Sequence, residues 1–219
     1  MRFLLLAMIV FAALPAAADA RQRVVVDADM SFDDAATLAY LAQADRQRLV
    51  DLDAVTVSLS GAGYTGRGLS HARCLVRKHG LRDVPVSDGN LLGANPLPEA
   101  IRSYVDRVVS DASAPCADVP TEGKAARILT AHRGRFTLIA LGPLTNVAQA
   151  LERDPSLARR IESIYIMGGG TTHGNLCCGA GDGTDHGQEF NFWADPAAAY
   201  DPRPVLRSAL SKLGASLGA

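Results

Sequence analysis

The chain has 219 residues, 48% hydrophobic and 21% charged, and its 20 Gly and 11 Pro show no triplet period, which excludes disordered, collagen-like and low-complexity chains. Lys+Arg 22 against Asp+Glu 23 gives a formal net charge of -1 with no dense basic stretch. A nucleic acid polymer is therefore not the expected partner; a small molecule is.

Residues 1–20, MRFLLLAMIVFAALPAAADA, place Arg2 before an apolar stretch and end with Ala18 and Ala20 framing Asp19. This pattern predicts a signal peptide cleaved after Ala20. The stretch is interrupted by Pro15 and falls short of the roughly 20 apolar residues that a bilayer span needs, so no stable membrane insertion is expected after cleavage. The mature protein is expected in the periplasm or outside the cell. In that oxidising space Cys74, Cys116, Cys177 and Cys178 are expected to form one long-range disulfide at most, and the adjacent pair is not expected to bond to itself.

From residue 23 the chain alternates apolar runs with helix-forming stretches. RVVVDA (23–28) reads as a strand and DDAATLAYLAQA (33–44) as a helix opened by acidic residues. A strand follows over 51–59, a helix near 71–79, a short buried strand at 84–86, and helices near 98–110 and 122–133. FTLIAL (136–141) is a strand, VAQALERD (147–154) a helix, and IESIYIMGGG (161–170) a strand running into glycines. Strands apolar on both faces that alternate with helices predict an α/β fold, a mostly parallel open sheet with helices on both faces, forming one domain over 21–219.

In such sheets ligands bind beyond the carboxyl ends of the strands. The polar clusters lie there, at 27–34, 60–63, 142–146 and 168–175, and are expected to converge. The first is the most telling. Asp27, Asp29, Asp33 and Asp34 fall within eight residues, with strand alternation predicting one face for Asp27 and Asp29 and the helix start returning the other two. Four carboxylates so close repel one another unless a cation sits among them, and a hard divalent cation takes oxygen ligands. Two chemistries fit. A D-x-D strand end resembles the haloacid-dehalogenase-like phosphatases, with Asp27 as nucleophile, Asp29 as acid/base and magnesium as the metal. Alternatively, calcium holds a water from which one carboxylate takes a proton.

Three further motifs select the second chemistry. Asp27-Ala28-Asp29-Met30-Ser31-Phe32-Asp33-Asp34 is followed by Ala140-Leu141-Gly142-Pro143-Leu144-Thr145-Asn146, then by Met167-Gly168-Gly169-Gly170, then by Glu189-Phe190-Asn191-Phe192-Trp193-Ala194-Asp195-Pro196. In this order they resemble the inosine-uridine-preferring nucleoside hydrolases, over about residues 23–200. The resemblance implies calcium-dependent hydrolysis of the N-glycosidic bond of a ribonucleoside to ribose and free base. It implies that Asp29 binds calcium and activates the water, that Asp34 is a second ligand, and that Leu141 offers its main-chain carbonyl to the metal. It further implies that Asp33, Asn175, Glu189 and Asn191 hydrogen-bond the ribose hydroxyls, that Met167 lies against the sugar, and that Asp27 supports the site. The chemistry agrees: breaking that bond builds positive charge on the ribose, which a carboxylate-rich site stabilises.

The family continues beyond this point, with a later His and an Asp that completes the calcium shell, and so the domain is expected to be C-terminally incomplete. An inactive homologue that binds ribose or calcium is the alternative reading. Gly61 falls where the resemblance expects a ribose-contacting Asn, and His173 and His186 are candidates to replace the missing group. Phe192 and Trp193 read as packing residues, and Asn146 as a helix cap. The sequence leaves the oligomeric state open, a homo-oligomer included.

Overall fold

The structure is a computed structural model that describes residues 21–62, 67–90, 93, 95, 97–113, 120, 122–169, 174–175 and 188–200. The predicted signal peptide, Cys116, Cys177, Cys178, His173 and His186 lie outside the described residues.

The elements follow in the order β1 (Gln22–Ala28), α1 (Phe32–Arg46), β2 (Val50–Val57), α2 (Gly68–Lys78), β3 (Val86–Asp88), α3 (Glu99–Ser113), α4 (Ala125–Ala131), β4 (Phe136–Ala140), α5 (Thr145–Arg153), a 3-10 turn (Pro155–Arg159), β5 (Ile161–Ile166), α6 (Phe190–Ala194) and α7 (Pro196–Tyr200). The five strands form one sheet in the order β3-β2-β1-β4-β5, and every pairing is parallel. β1 is central because its Val24-Val25-Val26 run is apolar on both faces. Val24, Val26 and Ala28 pack with α1, α2 and α3, whereas Val25 packs with β4, α4 and α5. This is the predicted α/β architecture.

Two of the differences from the predicted bounds have clear local causes. The third strand begins at Val86 rather than at residue 84, because Pro85 has no N–H to give a ladder and contributes only its carbonyl, which accepts from Val55 N–H at 3.0 Å. The helix expected from residue 122 begins at Ala125. The Glu122 and Gly123 amides both donate to Asp88 Oδ1, at 2.7 and 3.1 Å, and Gly123 has φ 64°, outside helical space.

The order of the strands positions the site. From β1 the chain winds outward to β2 and β3, then crosses to β4 and β5 on the other side. The carboxyl ends of β1 and β4 therefore flank the point where the winding reverses, the crevice in which open α/β sheets bind ligands. Asp27 and Asp29 close β1 there, and Leu141 follows β4.

Candidate active site

β1 stops at Ala28, and the chain reverses through Met30, a buried non-glycine residue with φ 61°. That left-handed turn is costly for a side-chain-bearing residue, and its result is local. It folds the start of α1 back onto β1, so that Asp29 N–H donates to Asp34 Oδ2 at 2.7 Å. Asp34 and Asp33 occupy the first turn of α1, where the helix dipole favours negative charge.

Asp29 is wedged between three strand ends. Its Oδ2 accepts from Ala62 N–H at 2.7 Å beyond β2, and its Oδ1 from Ser31 N–H at 3.3 Å. A Cβ on Gly61 would lie 1.8 Å from Asp29 Oδ2, and one on Gly142 would lie 2.9 Å from Asp29 Cβ. Glycine at both positions is what lets the backbones after β2 and β4 close on this carboxylate. At Gly61, where an Asn was expected from the family pattern, a side chain fits only if the Asp29 carboxylate moves.

Asp27 faces elsewhere. Its Oδ1 accepts from Thr56 Oγ1 at 2.6 Å and from Asn146 Nδ2 at 2.8 Å, and its Oδ2 is buried with no partner. Asn146 is therefore no helix cap. Asp27 is fully buried and held by Thr56 and Asn146, an arrangement that supports the site rather than presenting a nucleophile. The four aspartates do not gather round one point. Among the described residues no group of three or more His, Cys, Asp or Glu side chains is arranged to hold a metal ion. Asp33 bonds with the Ser31 hydroxyl instead, and the shared-cation expectation narrows to the adjacent pair Asp29 and Asp34.

The electrostatics of that pair are unbalanced. Burial pushes the Asp29 carboxyl up, against hydrogen bonds at Asp34, Ala62 and Ser31 that lower it. Burial, then the neighbouring Asp29 charge, raise Asp34 well above the usual carboxylate range. Burial likewise takes Asp27 up to about 7 despite its bonds from Asn146 and Thr56. Asp34 Oδ1 is buried without a hydrogen-bond partner. No Lys, Arg or His among the described residues pairs with any of the three.

The opposite wall comes from β4, β5 and α6. Asn191 is buried, and its Nδ2 donates to both Leu141 O and Met167 O at 2.8 Å, pinning α6 across the ends of β4 and β5. Glu189 precedes α6 and caps it, accepting from Asn191 N–H at 3.1 Å and Phe192 N–H at 3.0 Å. Asn175 Oδ1 accepts from Phe190 N–H at 2.6 Å. Met167 is 39% exposed at the end of β5. The structure thus brings Leu141, Met167, Asn175, Glu189 and Asn191 together around α6, while Gly142 sets the chain after Leu141 against Asp29 and its partner Asp34. Phe192 is buried in the core beside α5, a packing role as expected. Residues missed from sequence are Thr56 and Asn146, which hold Asp27, and Ala62, which donates to Asp29 through its backbone.

The oxygen donors fit a hard cation. Among the described residues Asp34 Oδ1 is unpartnered, the Asp29 oxygens accept one backbone N–H each, and the Leu141 carbonyl, with two lone pairs, accepts from Asn191 alone. Nitrogen and sulfur donors are absent from this set.

Fold and site together define an α/β protein with a carboxylate-rich crevice at the switch point of its sheet. The chain belongs to the family described as inosine-uridine preferring nucleoside hydrolase, whose model matches residues 24–207. It is similar to uridine nucleosidase 1 of Arabidopsis thaliana, 30% identical over 81% of this chain and 52% of that protein. It is also similar to the pyrimidine-specific ribonucleoside hydrolase RihA of Photobacterium profundum, 32% identical over 80% and 55%. Among solved structures, the inosine-uridine preferring nucleoside hydrolase from Bacillus anthracis superposes with TM-score 0.63 at 28% identity, over 81% of this chain and 60% of that one. The chain spans about half the length of these curated relatives.

Proposed function

We propose that this chain hydrolyses the N-glycosidic bond of ribonucleosides, giving ribose and free base, with calcium held by Asp29, Asp34 and the Leu141 carbonyl. The observation that carries the reading is the buried Asp29–Asp34 pair, unneutralised among the described residues, with the chain after Leu141 closed on Asp29 at the sheet's switch point. Calcium supplies there a positive charge that neutralises the two carboxylates and a place to hold a water molecule.

Asp29 is the catalytic base. Its burial raises its proton affinity, and the Ala62 and Ser31 amides fix its orientation, so it takes a proton from water aimed at the anomeric carbon. The same carboxylates stabilise the positive charge that develops on the ribose as the bond to the base breaks. Asn191 has spent both amide hydrogens on Leu141 and Met167, which leaves its Oδ1 to accept from a ribose hydroxyl. Asp33, Asn175 and Glu189 complete the hydroxyl contacts, and the exposed Met167 side chain lies against the sugar. The names of the relatives favour uridine and inosine as first substrates. Export after removal of residues 1–20 belongs to the same proposal, supported by the disulfide at Cys74.

The test is ribose release from uridine and inosine by the purified chain. Turnover with calcium, lost on chelation and restored by added calcium, is the expected result. Calcium binding without any ribose release marks instead an inactive, binding homologue.

A further inference from the structure

A second buried network lies behind the proposed site and touches none of the residues assigned to the chemistry. Thr145, the first residue of α5, stands at its centre. Its hydroxyl donates to Asp195 Oδ2 at 2.6 Å and accepts from Ser60 Oγ at 2.8 Å. Ser60 Oγ accepts in turn from Gly93 N–H at 3.0 Å, and Asp195 Oδ1 from Ala198 N–H at 3.0 Å. Ser60, Thr145 and Asp195 are 1%, 2% and 5% exposed, so these bonds are made away from water, where an unmade one is expensive.

The network joins the three segments that build the site. Ser60 lies two residues before Ala62, whose amide holds Asp29. Thr145 lies four residues after Leu141, the carbonyl assigned above to the cation with Asp29 and Asp34. Asp195 directly follows α6, which carries Asn191 across Leu141 and Met167. Asn95 reinforces the last link, donating from Nδ2 to Trp193 O at 2.7 Å.

We propose that Ser60, Thr145 and Asp195 form a positioning clamp that sets the spacing between Asp29, the Leu141 carbonyl and Asn191. None of the three touches substrate or metal; they act through the segments they tie. One hydroxyl proton per link fixes the direction of the chain of bonds, Ser60 to Thr145 to Asp195, and the carboxylate terminates it. This inference rests on the proposed hydrolase reading for its kinetic consequences but not for its geometry.

Thr145→Val keeps the side chain's shape and removes the hydroxyl that links Ser60 to Asp195. The expected result is a kcat at least tenfold lower and a calcium Kd at least fivefold weaker, with Thr145→Ser restoring both to within twofold of the parent chain. Leu157→Ala, a destabilising change in the 3-10 turn before β5, keeps kcat within twofold and separates positioning from simple loss of stability. In parallel, hydrogen exchange at the Ala62, Asn191 and Phe192 amides of Thr145→Val accelerates at least tenfold while Leu138 in β4 stays unchanged. A Thr145→Val chain with parental kcat, calcium affinity and exchange overturns the clamp, as does a Thr145→Ser chain no better than Thr145→Val. If the parent chain neither releases ribose nor binds calcium, the hydrolase reading falls, and the exchange pattern alone decides the clamp.

Discussion

The two ends of the parallel sheet both carry carboxylates and treat them in opposite ways. At the amino end the acids carried by the strands pair with cations. Arg21 pairs with Asp51 at 2.6 Å, Arg23 with Asp53 at 2.6 Å, and Arg135 with Glu162 at 3.0 Å, all partly exposed. At the carboxyl end Asp27, Asp29 and Asp34 are buried among amides, a threonine and an asparagine, and their affinity for protons rises accordingly. The first arrangement keeps a soluble rim intact at little cost. The second holds uncompensated charge that only a cation or a proton relieves, which is how a binding site differs from a surface.

Neutralising single acids at the two ends is the strongest way to break that comparison. Asp29→Asn and Asp34→Asn are expected to lower ribose release about 10³-fold, the scale of a lost general base and metal ligand. In chelator at pH 7.5 both variants are expected to melt at a higher temperature than the parent, since each removes a buried charge whose raised folded pKa makes stability fall as pH rises. Asp53→Asn is expected to do the reverse, melting earlier with unchanged turnover. Melting curves in chelator and a ribose assay check all three.

Gly61→Ala sharpens the geometric side. Its Cβ would meet Asp29 Oδ2 at 1.8 Å, so the carboxylate must move, and a displacement on the order of 1 Å costs roughly 10²-fold in kcat. A variant with parental kcat shows that Asp29's position is not critical.

The amino end yields smaller effects. Burial lowers the pKa of His132, with Arg23 and Arg160 also lowering it and Asp53 raising it. Below the unfolded value of 6.5 the unfolded chain binds a proton that the folded chain does not, so stability is lost as pH falls from 6.5 toward the depressed folded pKa. The parent is therefore expected to lose more melting temperature between pH 7.5 and 5.5 than His132→Asn, the carboxyl-end aspartates cancelling in the difference. Smallest of all, Arg23→Gln is expected to cost about 0.5–1 kcal/mol in denaturant melts, the scale of a part-exposed ion pair, with kcat unchanged.

What was legible in the sequence follows from where the information lies. The strands and the parallel sheet were readable because runs such as Val24-Val25-Val26 and Phe136-Thr137-Leu138 are buried on both faces and leave no polar stripe. The site's location was readable because topology puts every strand's carboxyl end on one rim. The directions of side chains were not. Asp27 and Asp29 are two apart, yet the left-handed turn at Met30 brings Asp29 under the Ala62 amide while Asp27 stays with Thr56 and Asn146. Glu189 and Asn191 stood out as polar residues, but nothing local shows that one caps α6 and the other bridges two carbonyls from distant strands. Ser60, Thr145 and Asp195 carry no motif because their meaning is a contact spanning 85 and 50 residues of chain.

The central claim is that the carboxyl rim is a divalent cation site, and thermal unfolding with calcium against chelator tests it most directly. Binding at about 100 times Kd adds about 2.7 kcal/mol, which for a domain of this size raises the melting temperature by roughly 5–10 °C. The account predicts that rise in the parent chain and its loss in Asp29→Asn and Asp34→Asn. An unchanged melting temperature at millimolar calcium, or a rise that survives in both variants, contradicts it.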